Sequence, residues 1–206
     1  MAKEFLDIAI TPSVRQAQEE MGTAQIWERM KGKRVFTLET EREADFIRAR
    51  DSFYMASVSE TGWPYVQHRG GPPGFLKIVD EQTLAFADFS GNKQYLTLGN
   101  ARANDRVALI LVDYPHRARM KVLARLEFVT ADEAPDLAEL TALPGYRAKV
   151  ERIGVLHIEA IDWNCPQHIT PRFTQSEIAE AMAPVTEKLE SLQAENARLR
   201  AQLAAR

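Results

Sequence analysis

The sequence predicts an α+β protein, mostly β with flanking helices: a small antiparallel barrel followed by a C-terminal coiled-coil helix. Three observations carry this expectation. Short runs rich in β-branched and aromatic residues recur at hairpin spacing between Ser52 and Ile161. Helical patterns are inserted singly among them and do not follow every strand, which argues against a parallel sheet. From Ile178 onward the apolar residues step by four and three.

Taken in order, residues 11–31 read as a helix opened by Thr11-Pro12-Ser13, with Val14, Ala17, Met21 and Ile26-Trp27 as its apolar stripe. Gly22 interrupts it, so two short helices or one kinked helix are expected, packed on the barrel. Residues 41–50 form a short helix whose acidic start suits the unpaired amides there. Ser52–Ser59 is the first strand, Glu60-Thr61-Gly62 a turn, and Pro64–Arg69 the returning strand of a hairpin. Strands follow at 75–79, 83–88, 107–114 and 119–129, with a short helix crossing between residues 92 and 104. Residues 135–151 read as a second helical region broken at Pro144-Gly145, and 155–161 alternate as a closing strand. The expected organisation is an N-terminal helical segment over 1–43, a barrel over 44–174 and a heptad helix over 175–206.

A net charge of −3 gives no reason to expect nucleic acid, whose binders carry a positive excess. The single cysteine, Cys165, rules out an intrachain disulfide framework. No stretch reaches the roughly 20 apolar residues of a membrane span, and the N-terminus lacks a signal-peptide core. These features predict a soluble, cytoplasmic protein with no membrane partner. Neither a P-loop nor a Gly-x-Gly-x-x-Gly string is present, which excludes the common NTPase and Rossmann dehydrogenase patterns.

In the tail, Met182, Leu189, Asn196 and Leu203 fall at heptad position a, and Ile178, Val185, Leu192 and Leu199 at d. The remaining faces are polar, and one buried asparagine at a favours a parallel two-stranded coil. Self-association through this helix is therefore expected.

The stretch from Tyr65 to Asn100 concentrates groups that suit an anion. Arg69 stands beside Gly70 and Gly71, where backbone is unshielded by side chains. Lys93, in the Ser90-Gly91-Asn92-Lys93 turn, offers a point charge near a helix start. Arg117 and Arg119 enter a later strand and are expected to reach the same region. Cys165 and His168 invite a nucleophile-and-base reading, or a metal reading with His157, but no fourth ligand accompanies them. A rigid loop shaped by Pro166 and Pro171 is the simpler account.

The strings PYVQHRGG, LAFADFSGNKQYLTLGN, DYPHRARMKVLARLEF and IEAIDWNCPQHITPRF, in that order, resemble the pyridoxamine 5′-phosphate oxidase superfamily. The nearest likeness is to its flavin-nucleotide-binding branch, and it covers about Ala44 to Phe173. The resemblance implies an FMN-binding split barrel, a homodimer with flavin at the subunit interface, and a small-molecule substrate or an electron donor such as NAD(P)H. By the same resemblance Arg69, Gly70 and Gly71 lie along the flavin, and Ala87 and Asp88 stand beside phosphate and ring. Asn92 and Lys93 match a basic pair on the phosphate, with Asn92 where the oxidase has arginine. Arg119 falls near the ring, and Trp163 and Arg172 match residues that the partner subunit adds.

One departure bears on activity. Where the oxidase has an arginine and a histidine for its substrate's phosphate, this chain has Thr170 and His168. The expectation is thus an FMN-dependent oxidoreductase that is not a pyridoxamine phosphate oxidase. The alternative is a non-catalytic flavin or heme binder assembled through its coiled coil.

Overall fold

The computed structural model describes residues 3–30, 32 and 35–205. The predicted helix end at Lys31 and the final residue of the C-terminal segment, Arg206, lie outside them. The chain divides into two compact units, residues 1–113 with 118–167, and residues 114–117 with 168–206.

The first unit is built on seven strands: β1 (Ser52–Val58), β2 (Pro64–Gly70), β3 (Lys77–Asp80), β4 (Thr83–Phe89), β5 (Arg106–Asp113), β6 (Ala118–Val129) and β7 (Val150–Trp163). They form one sheet in the order β2-β1-β5-β6-β7-β4-β3, and every neighbouring pair is antiparallel. The sheet curls on itself. Phe53 of β1 and Phe86 of β4, near opposite ends of the strand order, meet with ring centroids 5.5 Å apart. Among the described residues no ladder joins the edge strands β2 and β3, so the barrel is split along that seam.

Period-two alternation decides which side chains enter the barrel. Phe53 and Met55 of β1, Leu109 and Leu111 of β5, and Met120, Val122, Ala124 and Leu126 of β6 are all buried in one core. At about 1.5–3 kcal/mol for each large apolar side chain fully buried, this set is what holds the curled sheet together. β4 is covered on both faces, because Ala85 joins Ile153 and Val155 in a second cluster under Leu137 and Ala138.

Gly154 of β7 shows how tight the packing is. A Cβ there would lie 2.3 Å from the Phe86 ring, so only glycine lets that ring cross the β7 backbone. Gly154→Ala is expected to lower stability by about 1–3 kcal/mol through overpacking, read as a lower urea midpoint with an unchanged slope.

Among the described residues, six helices accompany the strands: α1 (Phe5–Ala9), α2 (Pro12–Glu20), α3 (Ala24–Met30), α4 (Glu41–Arg48), α5 (Leu96–Ala103) and α6 (Pro135–Leu140). α1 packs on β7, and α2 and α3, which bury no side chain, pack on each other. The break expected at Gly22 is present, with φ +68 between α2 and α3. Two expectations are corrected. The 135–151 helical region is helix only over α6, and its end becomes strand, because β7 starts at Val150 to pair with Phe89. The helix expected from residue 92 starts at Leu96, after a turn in which Lys93 and Tyr95 take positive φ.

In the second unit α7 (Gln175–Ala204) is a single 30-residue helix. It opens on a capping box in which Thr174 and Glu177 satisfy each other's backbone amides. No helix among the described residues is long and apolar enough to cross a membrane.

Candidate anion and cofactor site

The split seam carries the site. Alternation along β2 turns Tyr65, Gln67 and Arg69 to one face, and the end of β4 brings Asp88 opposite them. The Gly91–Gln94 turn and the start of α5 form one wall, and the first residues of β7 form the other. Together they enclose a cavity of about 200 Å3.

At its floor lies a buried charge triad. Arg69, only 11% exposed in its side chain, donates from Nη1 to Asp88 Oδ1, and so spans the seam from β2 to β4. The other carboxylate oxygen of Asp88 accepts from Arg152 Nε at 3.1 Å and Nη2 at 2.7 Å. Asp88 is itself 6% exposed. Two guanidiniums thus share this carboxylate, and Arg152 Nη2 also donates to Glu151 Oε2 at 3.3 Å; with Lys93 on Glu151, three cations and two carboxylates leave one net positive charge. Burial opposes the charged form of Arg152, but the hydrogen bonds and charge of Asp88, together with the charge of Glu151 and Tyr95, outweigh it and raise the pKa above the ordinary guanidinium value.

Aromatic rings and amides fix the geometry. Arg69 lies 4.9 Å from the centre of Phe86 and 5.9 Å from Phe128, and Arg152 lies 5.0 Å from Tyr95. Gln67 accepts from Arg69 Nη2 at 3.3 Å and from Thr97 Oγ1 at 2.7 Å, which ties β2 to α5. The Nε of Arg69 is buried and has no partner. An unpaired buried donor beside a net positive charge is costly, and an anionic ligand in the cavity would offset the charge.

Lys93 stands at the rim, paired with Glu151. The hydrogen bond from Lys93 holds the Glu151 carboxyl below its ordinary value of 4.5, and the reciprocal bond raises Lys93. Because the folded pKa of Glu151 is depressed, its contribution to stability is present above about pH 4.5 and is lost as pH falls through the folded value. Glu151→Gln is therefore expected to flatten the acid limb. Thermal midpoints compared at about pH 6 and about pH 3.5 should fall less in the variant than in the parent.

The structure brings Arg69, Asp88, Asn92 and Lys93 to this one cavity. Gly70 ends the same strand and Gly71 follows it, and both serve the chain itself. The Gly71 amide donates to the Asp51 carbonyl at 2.9 Å, and a Cβ on Gly71 would lie 2.8 Å from Phe75. Ala87 is buried and paired with Ile153.

Arg119 and Trp163 lie at the other end of the β6–β7 pair, about 30 Å along the strand from Phe128 at roughly 3.3 Å per residue. The expectation that Arg119 reaches the Arg69–Lys93 region is not met within one chain, since it sits at the start of a long strand whose far end lines the cavity. Trp163 clamps α4: its Nε1 donates to Glu43 at 2.6 Å, and Phe46 packs edge-on at 4.7 Å. In the second unit, Arg172 lies 4.9 Å from the Tyr114 ring centre.

Arg152 and Glu151 were missed by sequence reasoning. They sit just before a predicted strand, and only the β4–β7 register, which sets Asp88 opposite Arg152, reveals them.

A sequence profile for pyridoxamine 5′-phosphate oxidase matches residues 39–153, more than half of the chain. No curated protein matches. Among solved structures, HupZ of Group A Streptococcus is 18% identical, with a TM-score of 0.47 over 65% of this chain and 98% of that one. A candidate pyridoxamine 5′-phosphate oxidase of Lactobacillus delbrueckii is 24% identical, with a TM-score of 0.45 over 59% and 91%. An FMN-binding protein of Syntrophomonas wolfei is 13% identical, with a TM-score of 0.45 over 72% and 97%. With its curled antiparallel sheet and a profile match running from Glu39 to Ile153, the chain belongs to the pyridoxamine 5′-phosphate oxidase family.

Proposed function

We propose that the chain binds FMN at the split seam, as a homodimer whose second copy completes the site, and acts as an oxidoreductase on a substrate other than pyridoxamine phosphate. The observation that carries the reading is the Arg69–Asp88–Arg152 triad, a buried net positive charge with an unpartnered Arg69 Nε. A phosphate monoester supplies the negative charge and acceptor oxygens that this arrangement lacks. Arg69 and Arg152 would bind it from the floor and Lys93 from the rim. Arg152 would make up for the cation that Asn92 does not supply.

The flavin, when bound, supplies the electron chemistry. The residues of this chain bind, orient and neutralise it; Gln67, held by Thr97, keeps the Arg69 fork aimed. A cavity of about 200 Å3 is smaller than the roughly 300–1,000 Å3 of sites that enclose a whole small molecule. That size supports a second subunit covering the remainder of the cofactor. No histidine lines the cavity among the described residues, so heme finds no axial ligand from this chain there.

Titration of the purified protein with FMN, followed by flavin fluorescence and absorbance, is the test. One FMN per chain is expected, and reduction of the bound flavin by NADH or NADPH, followed by reoxidation, separates an enzyme from a carrier. A protein that leaves FMN fluorescence and absorbance unchanged would overturn the reading.

A further inference from the structure

We propose that α7 forms a parallel, two-stranded coiled coil with α7 of a second copy of this chain. The helix stands on its own signals: a complete capping box at its start and 30 residues, or about 45 Å at 1.5 Å per residue. Yet its apolar seam is uncovered. Ile178, Met182, Val185, Leu189, Leu192, Leu199 and Leu203 are all between 46% and 70% exposed. In water an isolated helix gains little from propensity alone, and most helical stability comes from burying an apolar face.

The seam itself names what covers it. It is two positions wide in each heptad; Lys188, Gln193, Glu195 and Arg200 hold the flanking e and g positions, and Glu187, Glu190 and Arg198 lie on the outer face. A helix that docks on a globular surface shows a broader stripe. Pro184 falls at position c, on the outer face, so its ring does not enter the seam.

Two features choose a copy of the same helix, in parallel and in register. Asn196 occupies an a position, where a parallel partner places its own Asn196 across the seam, and the two amides can hydrogen-bond. An antiparallel partner would set that amide against a leucine or valine at d and leave it unpaired. Glu195 at g lies five positions before Arg200 at e of a parallel partner, the spacing of an interhelical ion pair. The seam is thus complementary to itself in both its polar core position and its flanking charge.

The test is disulfide scanning of the full chain in a Cys165→Ser background, since Cys165 is free and exposed. Single cysteines replace Leu192 and Leu199 in the seam, and Glu190 and Ala201 on the outer face. In a parallel, in-register coil the paired d positions approach within disulfide reach. Leu192→Cys and Leu199→Cys should therefore link nearly completely to covalent dimers under mild oxidation, with Glu190→Cys and Ala201→Cys at least about 10-fold slower. Equal linking at all four positions would mean only that the tails are close, and would overturn the coil. Absence of linking at Leu199 would overturn it too, whether the helix pairs antiparallel, packs on its own chain or awaits a different protein. The outcome is independent of flavin binding, so it stands or falls apart from the function proposed above.

Discussion

Replacing Asp88 by alanine should destabilise the ligand-free protein by about 3–5 kcal/mol, and phosphate should restore much of the loss. The carboxylate is the one buried anion between Arg69 and Arg152, whose side chains are 11% and 20% exposed. Its removal leaves Arg69 with no carboxylate and Arg152 with only Glu151 at 3.3 Å, in a low-dielectric floor where an uncompensated charge is strongly destabilising. Against a typical total of about 5–15 kcal/mol, that is a large fraction. An anion bound only by the folded state adds about 2.7 kcal/mol at 100 times its dissociation constant. Urea unfolding of the variant should therefore shift strongly with inorganic phosphate or FMN, and that of the parent less. A variant as stable as the parent, or one indifferent to phosphate, would show that the triad is not a charge-matched anion site.

The second large effect is on binding. Arg69→Ala combined with Lys93→Ala should weaken FMN by roughly 10²–10⁴-fold, two charge-assisted hydrogen bonds at about 1.5–3 kcal/mol each. The fold should survive, because Asp88 keeps its two bonds to Arg152 and the core residues are untouched. Riboflavin, which has no phosphate, separates loss of anion contacts from general damage: its affinity should change little. Equal losses for FMN and riboflavin would move the two cations away from the phosphate. Undiminished FMN binding would remove them from the site altogether.

Both predictions depend on residues that were unequally visible in the linear chain. Arg69 and Lys93 stood out because each sits beside glycine or a polar turn, a local composition that marks backbone open to a ligand. Asp88 came from the family resemblance, and nothing local said that it would be buried between two arginines. Arg152 had no local mark, since an arginine at a strand start is ordinarily a solvated residue. It became part of the site when β7 paired with β4 and set Arg152 opposite Asp88. The helix expected over 135–151 is shorter than its spacing suggests. It stops at Leu140, the chain turns after Pro144 with Gly145 at φ +81, and only its last residues enter β7, where Val150 pairs with Phe89. Gly71 shows the reverse case: the unshielded backbone was real, but the open space is filled by Phe75 and the amide is taken by Asp51.

What the sequence determined by itself is whatever repeats along it. Period-two alternation produced the strands and the inward face of β1, β5 and β6, and period three-to-four produced α7 with its seam. The glycine break at residue 22 and the capping box at Thr174 are also local, because each needs only a few neighbouring residues. The tertiary structure alone decided which strands are neighbours, where the sheet fails to close, and therefore which charges meet. Arg69, Asp88 and Arg152 are 19 and 64 residues apart in the chain, counted from Asp88. Their separation is set by sheet order and curl, which follow from burying one contiguous core rather than from any pattern near the residues themselves.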